Sequence, residues 1–294
     1  MRSVNKLVLS GLCVFCVSCG PTVQSGTPKF EHTSLYDDLK FDESKRPAVP
    51  WKRNHVIVTF YFNQGEDLQR NLQWKRDDFD MIKPWHRSVE WNKLRGVVFY
   101  DSLSEEFINK YSNECIEFRK VKNKTKYQVT SERFLAVLDY LQDNPDIEYI
   151  FLTDASDVIV RRNPFMGLQP DTLYVGSEKD TVKSSWNWLL GHVRILLNGD
   201  ERKISDYASK LGDNVLLNAG VSGGHRDIYM KFLESMKEAF EQSSTSLEAS
   251  SDMAALNWVL YQPEFVSKIK TGYPIHSVFK VFDIKNQEVV FIHK

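Results

Sequence analysis

Residues 149–160 read YIFLTDASDVIV, an apolar run of strand length that leads into two aspartates and then continues in β-branched residues. Residues 149–152 do not alternate between apolar and polar side chains, which is typical of a strand buried on both faces of a sheet. Residues 56–62 (VIVTFYF) and 96–100 (GVVFY) have the same character. These three runs predict buried, parallel strands.

A helix is predicted between the strand at 96–100 and the strand that begins at Tyr149. Its apolar side chains recur at i, i+3, i+4 and i+7, at Phe134, Val137, Leu138 and Leu141. Pro145 follows shortly afterwards and ends the helix. Strands that alternate with helices predict an α/β domain, in which helices cover both faces of a mainly parallel sheet.

Composition narrows the possible functions. The chain has 294 residues and a formal net charge of -1. A general nucleic-acid binder needs a basic surplus to neutralise phosphates, so we expect no nucleic-acid partner. Cys115 is the only cysteine beyond the first 19 residues. A single cysteine cannot form an internal disulfide, and no Cys/His spacing suggests a zinc site.

The N-terminus is similar to an export leader. Residues 7–18 form an apolar run that is too short to span a bilayer, since a transmembrane helix takes about 20 residues. Residues 17–20 (VSCG) are similar to a bacterial lipoprotein cleavage site, where Cys19 would carry the lipid. The alternatives are a plain signal peptide and a short signal-anchor. In each case we expect an exported or membrane-tethered protein.

The remainder of the chain divides into a linker and one domain. Residues 20–53 are rich in Ser, Thr, Pro, Lys and Asp and show no sustained helical or strand period. We therefore predict a leader at 1–19, a linker at 20–53 and a single domain at 54–294. A linker of this kind would hold the domain away from a membrane.

The two aspartates lie where a parallel sheet binds its ligands, which is outside the carboxyl ends of the strands. Asp154 and Asp157 are three residues apart on a predicted turn and can converge on one hard cation. Such a cation could neutralise the diphosphate of a nucleotide-sugar. The alternative is that Asp154 caps the turn and that Asp157 is solvated.

A second polar motif ends another apolar run. Residues 215–224 read VLLNAGVSGG, with one asparagine and three glycines. Glycine lets a backbone approach a ligand closely, and an asparagine amide can both donate to and accept from a sugar hydroxyl. A structural hairpin or bulge would account for the same pattern.

Residues 153–158 (TDASDV), 163–165 (NPF) and 217–224 (LNAGVSGG) together resemble the GT-A class of nucleotide-diphospho-sugar transferases. The likeness is closest to members with an Asp-x-x-Asp metal motif, such as the glycosyltransferase domain of collagen lysyl hydroxylases. It covers the chain from about His55 onward, through the order and spacing of motifs. The resemblance implies a single Rossmann-like GT-A domain and a metal-dependent transferase of hexosyl type.

The resemblance also implies roles for individual residues. The ligands of a Mn²⁺ (or Mg²⁺) ion would be Asp154, Asp157 and His293. Thr59, Phe60 and Tyr61 would lie beside the base of the donor, and Lys294 would reach a phosphate. Further contacts to the donor would come from Asp154, Asn218, Ala219 and Gly220. Asp252 would face the acceptor, as a base or by orienting a hydroxyl. The alternative is that Asp252 only stabilises the start of a helix.

The expected partners are a nucleotide-sugar donor, with a UDP-sugar favoured, and a glycan, protein or lipid acceptor. Three other functions stay open. A glycoside hydrolase also uses two carboxylates, and a surface lipoprotein could keep the fold without the chemistry. A phosphohydrolase is disfavoured, because its nucleophile needs Asp-x-Asp and a glycine turn, which residues 158–160 (VIV) do not supply.

Overall fold

The computed structural model describes most of the predicted domain. The described residues are 43–67, 72–121, 126–273, 275 and 288–293, all within the unit Leu39–Lys294. The leader predicted at 1–19 and most of the linker predicted at 20–53 lie outside them. Within these described ranges, no helix is both long and apolar enough to cross a membrane.

Eleven strands are present in the described part of the chain. In chain order they are β1 His55–Tyr61, β2 Glu66–Asp67, β3 Leu72–Gln73, β4 Arg95–Tyr100, β5 Ile116–Lys120, β6 Tyr149–Thr153, β7 Val158–Val160, β8 Leu173–Thr181, β9 Val215–His225, β10 Ile269–Lys270 and β11 Phe291–His293. The three runs predicted as strands correspond to β1, β4 and β6, with each boundary within one residue.

Seven α-helices lie between the strands in the described part of the chain. They are α1 Lys83–Trp91, α2 Glu105–Tyr111, α3 Val129–Asp143, α4 Trp186–Leu196, α5 Glu201–Leu211, α6 Arg226–Glu241 and α7 Asp252–Leu260. Single 3₁₀ turns lie at Glu43–Lys45, Phe79–Met81 and Val266–Lys268. The predicted helix around Phe134 is α3.

Seven strands form the central sheet, in the order β10-β8-β9-β6-β1-β4-β5. Strand β1 is parallel to β4 and β6, β4 is parallel to β5, and β10 is parallel to β8. Only β9 runs antiparallel to its neighbours β6 and β8. The predicted α/β fold with a mainly parallel sheet is therefore confirmed.

Both faces of the sheet are covered. Alternate side chains of β1 enter two different apolar clusters, since Val58 and Phe60 join one and Ile57 joins the other. The first cluster includes the buried sides of α3, α6 and α7. The second includes the buried sides of α1 and α2. Burial on both faces explains why β1 shows no alternation of apolar and polar residues.

A two-stranded sheet joins the C-terminal segment to the acidic turn. Strand β11 pairs antiparallel with β7, so that Phe291 lies opposite Val160 and His293 lies opposite Val158. The amide of Asn92 donates to the carbonyl of Val160 at 2.8 Å and fixes β7 against α1. This pairing brings the chain's last described residues next to the end of β6.

Candidate active site

Asp154, Asp157 and His293 converge beyond the carboxyl end of β6. One possible ligand atom from each lies within 4.8 Å of the others, and Nε2 of His293 is 4.0 Å from a carboxylate oxygen of Asp157. Asp154 and His293 are buried, and Asp157 is half-buried. The structure thus brings together the three predicted metal ligands. Lys294, predicted to reach a phosphate, lies outside the described residues.

The three side chains fit a single divalent cation. Three ligands at about 2.2 Å from one ion lie roughly 3–4.4 Å from one another, so the three side chains would draw together by up to about 1–2 Å when an ion binds. Carboxylate oxygens suit Mg²⁺ and Mn²⁺, and an imidazole nitrogen favours the softer Mn²⁺. The donor set therefore agrees with the predicted Mn²⁺ (or Mg²⁺).

The backbone of β9 forms the floor of this site. The amide of Asp154 donates to the carbonyl of Gly220 at 2.9 Å, which extends the pairing of β6 with β9. A Cβ added at Gly220 would overlap the imidazole ring of His293. Only glycine at this position lets the ring lie directly on β9. The resemblance placed Gly220 in the donor pocket, and the structure gives it a second role beneath the histidine.

Arg133 links the metal centre to Asp252. This guanidinium projects from α3 and is almost fully buried, with 4% of the side chain exposed. Its Nη1 donates to Oδ1 of Asp154, and its Nη2 donates to Oδ2 of Asp252 at 3.2 Å. It also lies over the ring of Phe60, 5.3 Å from the ring centroid. Arg133 therefore joins the carboxylate of Asp154 to the carboxylate at the start of α7.

Arg133 was not predicted as a site residue, although the sequence carries a signal for it. Arg133 precedes Val137 by four residues and so shares the buried stripe of α3. A charged residue on the core face of a helix is rarely buried without a partner. Its partners come from distant segments, which no local spacing indicates.

Asn218 is held in one orientation by its neighbours. Its Oδ1 accepts from the amide of Gly220 at 2.7 Å, and its Nδ2 donates to Oε1 of Glu178. Glu178 lies on β8 and was not predicted as a site residue. Ala219 belongs to the apolar core, so any contact that it makes with a donor would come from its backbone. The motif is a strand with an irregular register against β8. Asn218 contacts Glu178, whereas the hydroxyl of Ser222 shares a hydrogen bond with that of Tyr229 in the core.

The side chains predicted to lie beside the base point into the interior. Thr59 donates to the carbonyl of Thr153 at 2.8 Å, and the hydroxyl of Tyr61 donates to the carbonyl of Asp78 at 3.0 Å. Phe60 packs beneath Arg133. All three are buried. They support the edge of the site, and a base contact from this region would come from backbone or from the loop that follows.

That loop is fixed by Asp101, which follows β4. The two carboxylate oxygens of Asp101 accept from the amides of Asn63 and Gln64, each at 2.9 Å. The side-chain amide of Asn63 donates to the carbonyl of Ser102 at 2.9 Å. These hydrogen bonds fix the backbone that follows β1. Strand β1 is paired with β6, which leads to Asp154 and Asp157.

Asp252 is the first residue of α7 and is 1% exposed. Besides Arg133, its carboxylate accepts from the hydroxyl of Ser250 at 3.2 Å. Its place in the first turn suits the positive end of the helix. The carboxylate is also bound by the arginine that binds Asp154, and its burial means that an acceptor hydroxyl could reach it only after a rearrangement.

His192 of α4 lies near Asp252. Burial lowers the pKa of this histidine, against the opposing effect of the Asp252 carboxylate. Its ring contacts the indole of Trp188, with the ring centroids 4.9 Å apart. Helix α4 therefore lies along the side of the site marked by Asp252.

Comparisons with known proteins were made for sequence and for structure. No protein-family model and no curated protein matches the sequence. The fold is similar to the crystal structure of the galactosyltransferase LgtC in complex with donor and acceptor sugar analogues. The identity is 13%, the match covers 81% of this chain and 86% of that chain, and the TM-score is 0.43. The geometry of the site carries the functional argument below.

Gly220→Ala should lower the affinity for Mn²⁺ by at least about tenfold, because the added Cβ would displace the His293 ring. Electron paramagnetic resonance of free Mn²⁺ during a titration measures this. Gly191→Ala is the matched control, since a Cβ there meets nothing within 4 Å. Unchanged Mn²⁺ affinity in Gly220→Ala would contradict the place of His293 in the metal centre.

Arg133→Met should lower the free energy of unfolding by about 3–5 kcal/mol, because it leaves two buried carboxylates without their shared cation. Adding Asp252→Asn should restore part of the loss, since one of the two charges is then removed. Urea denaturation of the single and double variants measures both effects. Strictly additive losses would show that Arg133 and Asp252 are not coupled.

Proposed function

We propose that this protein is a divalent-metal-dependent glycosyltransferase, which moves a sugar from a nucleotide-diphospho-sugar to an acceptor hydroxyl. The observation that carries the proposal is the convergence of Asp154, Asp157 and His293 in one cluster. The cluster lies at the carboxyl edge of a mainly parallel sheet, where folds of this type bind their ligands. The GT-A resemblance of the sequence motifs gives the same function independently of this geometry.

Asp154, Asp157 and His293 would hold Mn²⁺ (or Mg²⁺). When bound, the ion would neutralise the charge of the diphosphate leaving group. Three protein ligands are fewer than the roughly six that such an ion takes. The remaining positions are suited to phosphate oxygens and water.

The chain's own residues position the reactants. Asn218 and Gly220 border the metal centre on β9 and would line the donor-sugar pocket, with Glu178 fixing the amide of Asn218. Arg133 holds the carboxylates of Asp154 and Asp252 in a fixed relation, which pre-organises both before substrate binds. Asp252 would orient the acceptor hydroxyl or assist its deprotonation.

The transfer itself exchanges one bond for another. The acceptor oxygen forms a bond to the anomeric carbon of the sugar, and the bond from that carbon to the diphosphate breaks. The nucleoside diphosphate leaves with the electron pair, and the acceptor proton is released to solvent. A UDP-sugar is the favoured donor, as the resemblance implies. The leader predicted at 1–19 would place the enzyme outside the cytoplasm or on a membrane.

Incubation with a panel of UDP-sugars and GDP-sugars in Mn²⁺ tests the proposal, with released nucleoside diphosphate as the readout. Many transferases pass the sugar slowly to water, so an acceptor is not needed. We expect release from one nucleotide class, reduced roughly 100-fold by EDTA and by Asp157→Asn. The exposed Asp171→Asn is the matched control and should behave as wild type.

Two results would contradict the transferase. The first is the absence of release from every nucleotide-sugar, which would favour a non-catalytic protein on this fold. The second is metal-independent release of nitrophenol from nitrophenyl glycosides, which would identify a glycoside hydrolase.

A further inference from the structure

The segment that precedes β1 is fastened to the domain by three hydrogen bonds. Nε1 of the Trp51 indole donates to Nδ1 of His55 at 2.9 Å. The backbone amide of Trp51 donates to the carbonyl of Lys93 at 3.0 Å, and Nζ of Lys93 donates to the carbonyl of Ala48 at 2.7 Å. His55 begins β1, at the edge of the sheet opposite the candidate active site. Of these three bonds, only the one to His55 involves a group that changes charge near neutral pH.

The neighbours of His55 allow only one protonation state of its buried ring. An indole N–H can only donate, so Nδ1 of His55 must carry a lone pair. On the other side of the ring, Nε2 lies 3.1 Å from Oε2 of Glu148. An ionised carboxylate can only accept, so Nε2 must carry the proton. Both contacts therefore require a neutral imidazole with its proton on Nε2.

Glu148 is held in place beside this ring. Its Oε2 also accepts from Nδ2 of Asn54 at 2.8 Å, and its backbone amide donates to the carbonyl of Asn54 at 2.8 Å. The hydrogen bond with His55 lowers the pKa of the Glu148 carboxyl. The carboxylate therefore stays ionised over the pH range in which an imidazole gains its proton.

The surroundings of His55 favour the neutral ring at pH 7. Burial lowers the pKa of His55 below its ordinary value of 6.5, the hydrogen bond and charge of Glu148 oppose this effect, and the charge of Lys52 adds to it. The rings of Tyr149 and Phe165 pack against the imidazole, with centroids 5.2 Å and 5.0 Å away. Burial raises the pKa of the Tyr149 hydroxyl, so that group stays uncharged. Protonation of His55 therefore requires a pH below 6.5.

We propose that His55 is a pH-sensitive switch, which holds the Trp51 indole at neutral pH and releases it when the imidazole gains a second proton. A proton on Nδ1 would face the indole N–H, so that two donors oppose each other. The bond from Nε2 to Glu148 would become charge-assisted and would keep the protonated ring in place. Residues 48–51 connect the domain to the predicted linker and leader. Release would therefore loosen the domain from its N-terminal segment at acid pH, whether or not the protein is a transferase.

Nuclear magnetic resonance of the ¹⁵N-labelled indole groups tests this inference, with the Trp51 signal assigned by its loss in Trp51→Phe. The readout is the protection of each indole N–H from solvent exchange, relative to free indole at the same pH. Between about pH 7.5 and about pH 4.5 we expect the protection of Trp51 to fall at least about tenfold, because a buried donor loses its acceptor. The internal control is Trp85, whose indole donates to the hydroxyl of Thr153 at 2.8 Å and should keep its protection.

Three variants separate the switch from a general effect of acid. His55→Gln keeps an acceptor that does not titrate, so the protection of Trp51 should become independent of pH. Glu148→Gln removes the charge that raises the pKa of His55, so the transition should move to lower pH. His225→Gln, at a histidine that caps α6, is the matched control and should keep the wild-type transition.

Four results would overturn the inference. They are constant protection of Trp51 in the wild type, an unchanged transition in His55→Gln, an unchanged transition in Glu148→Gln, and simultaneous loss of protection at Trp85. The last would assign the transition to unfolding of the whole domain. If His55→Gln does not fold, the position of the transition in Glu148→Gln decides the matter.

Discussion

The antiparallel pairing of β11 with β7 is the interaction on which the cluster of Asp154, Asp157 and His293 depends. It places His293 opposite Val158, directly after the turn that carries Asp154 and Asp157. Backbone bonds between two short strands would be a weak constraint alone. The buried Phe291 adds apolar packing, and the absence of a side chain at Gly220 gives the imidazole its place on β9.

Electrostatics explains why so many acidic groups can lie together in the interior. Burying an unpaired carboxylate is costly, and a shared guanidinium reduces that cost for two of them at once. Arg133 serves Asp154 and Asp252 in this way, from a helix that is otherwise apolar on the same side. The same arginine also fixes the distance between the metal centre and the start of α7.

The sequence predicts the buried strands and the acidic turn well, because a strand covered on both faces must be apolar throughout. Strand β6, the helix around Phe134 and the meeting of Asp157 with His293 all follow the expectation. The antiparallel direction of β9, the partners of Arg133 and the role of Glu178 were missed, since each depends on long-range pairing. The inward orientation of Thr59 and Tyr61 was not predicted either, because an apolar run does not indicate which face each side chain occupies.

Calorimetric titration of the protein with UDP and with GDP, in Mn²⁺ and in EDTA, tests the metal-dependent nucleotide site most directly. We expect one nucleotide to bind in Mn²⁺ and to lose at least about tenfold in affinity in EDTA and in His293→Ala, because each removes part of the centre. Equal affinity under all three conditions would contradict the site. Failure of both nucleotides to bind in Mn²⁺ would contradict the glycosyltransferase itself.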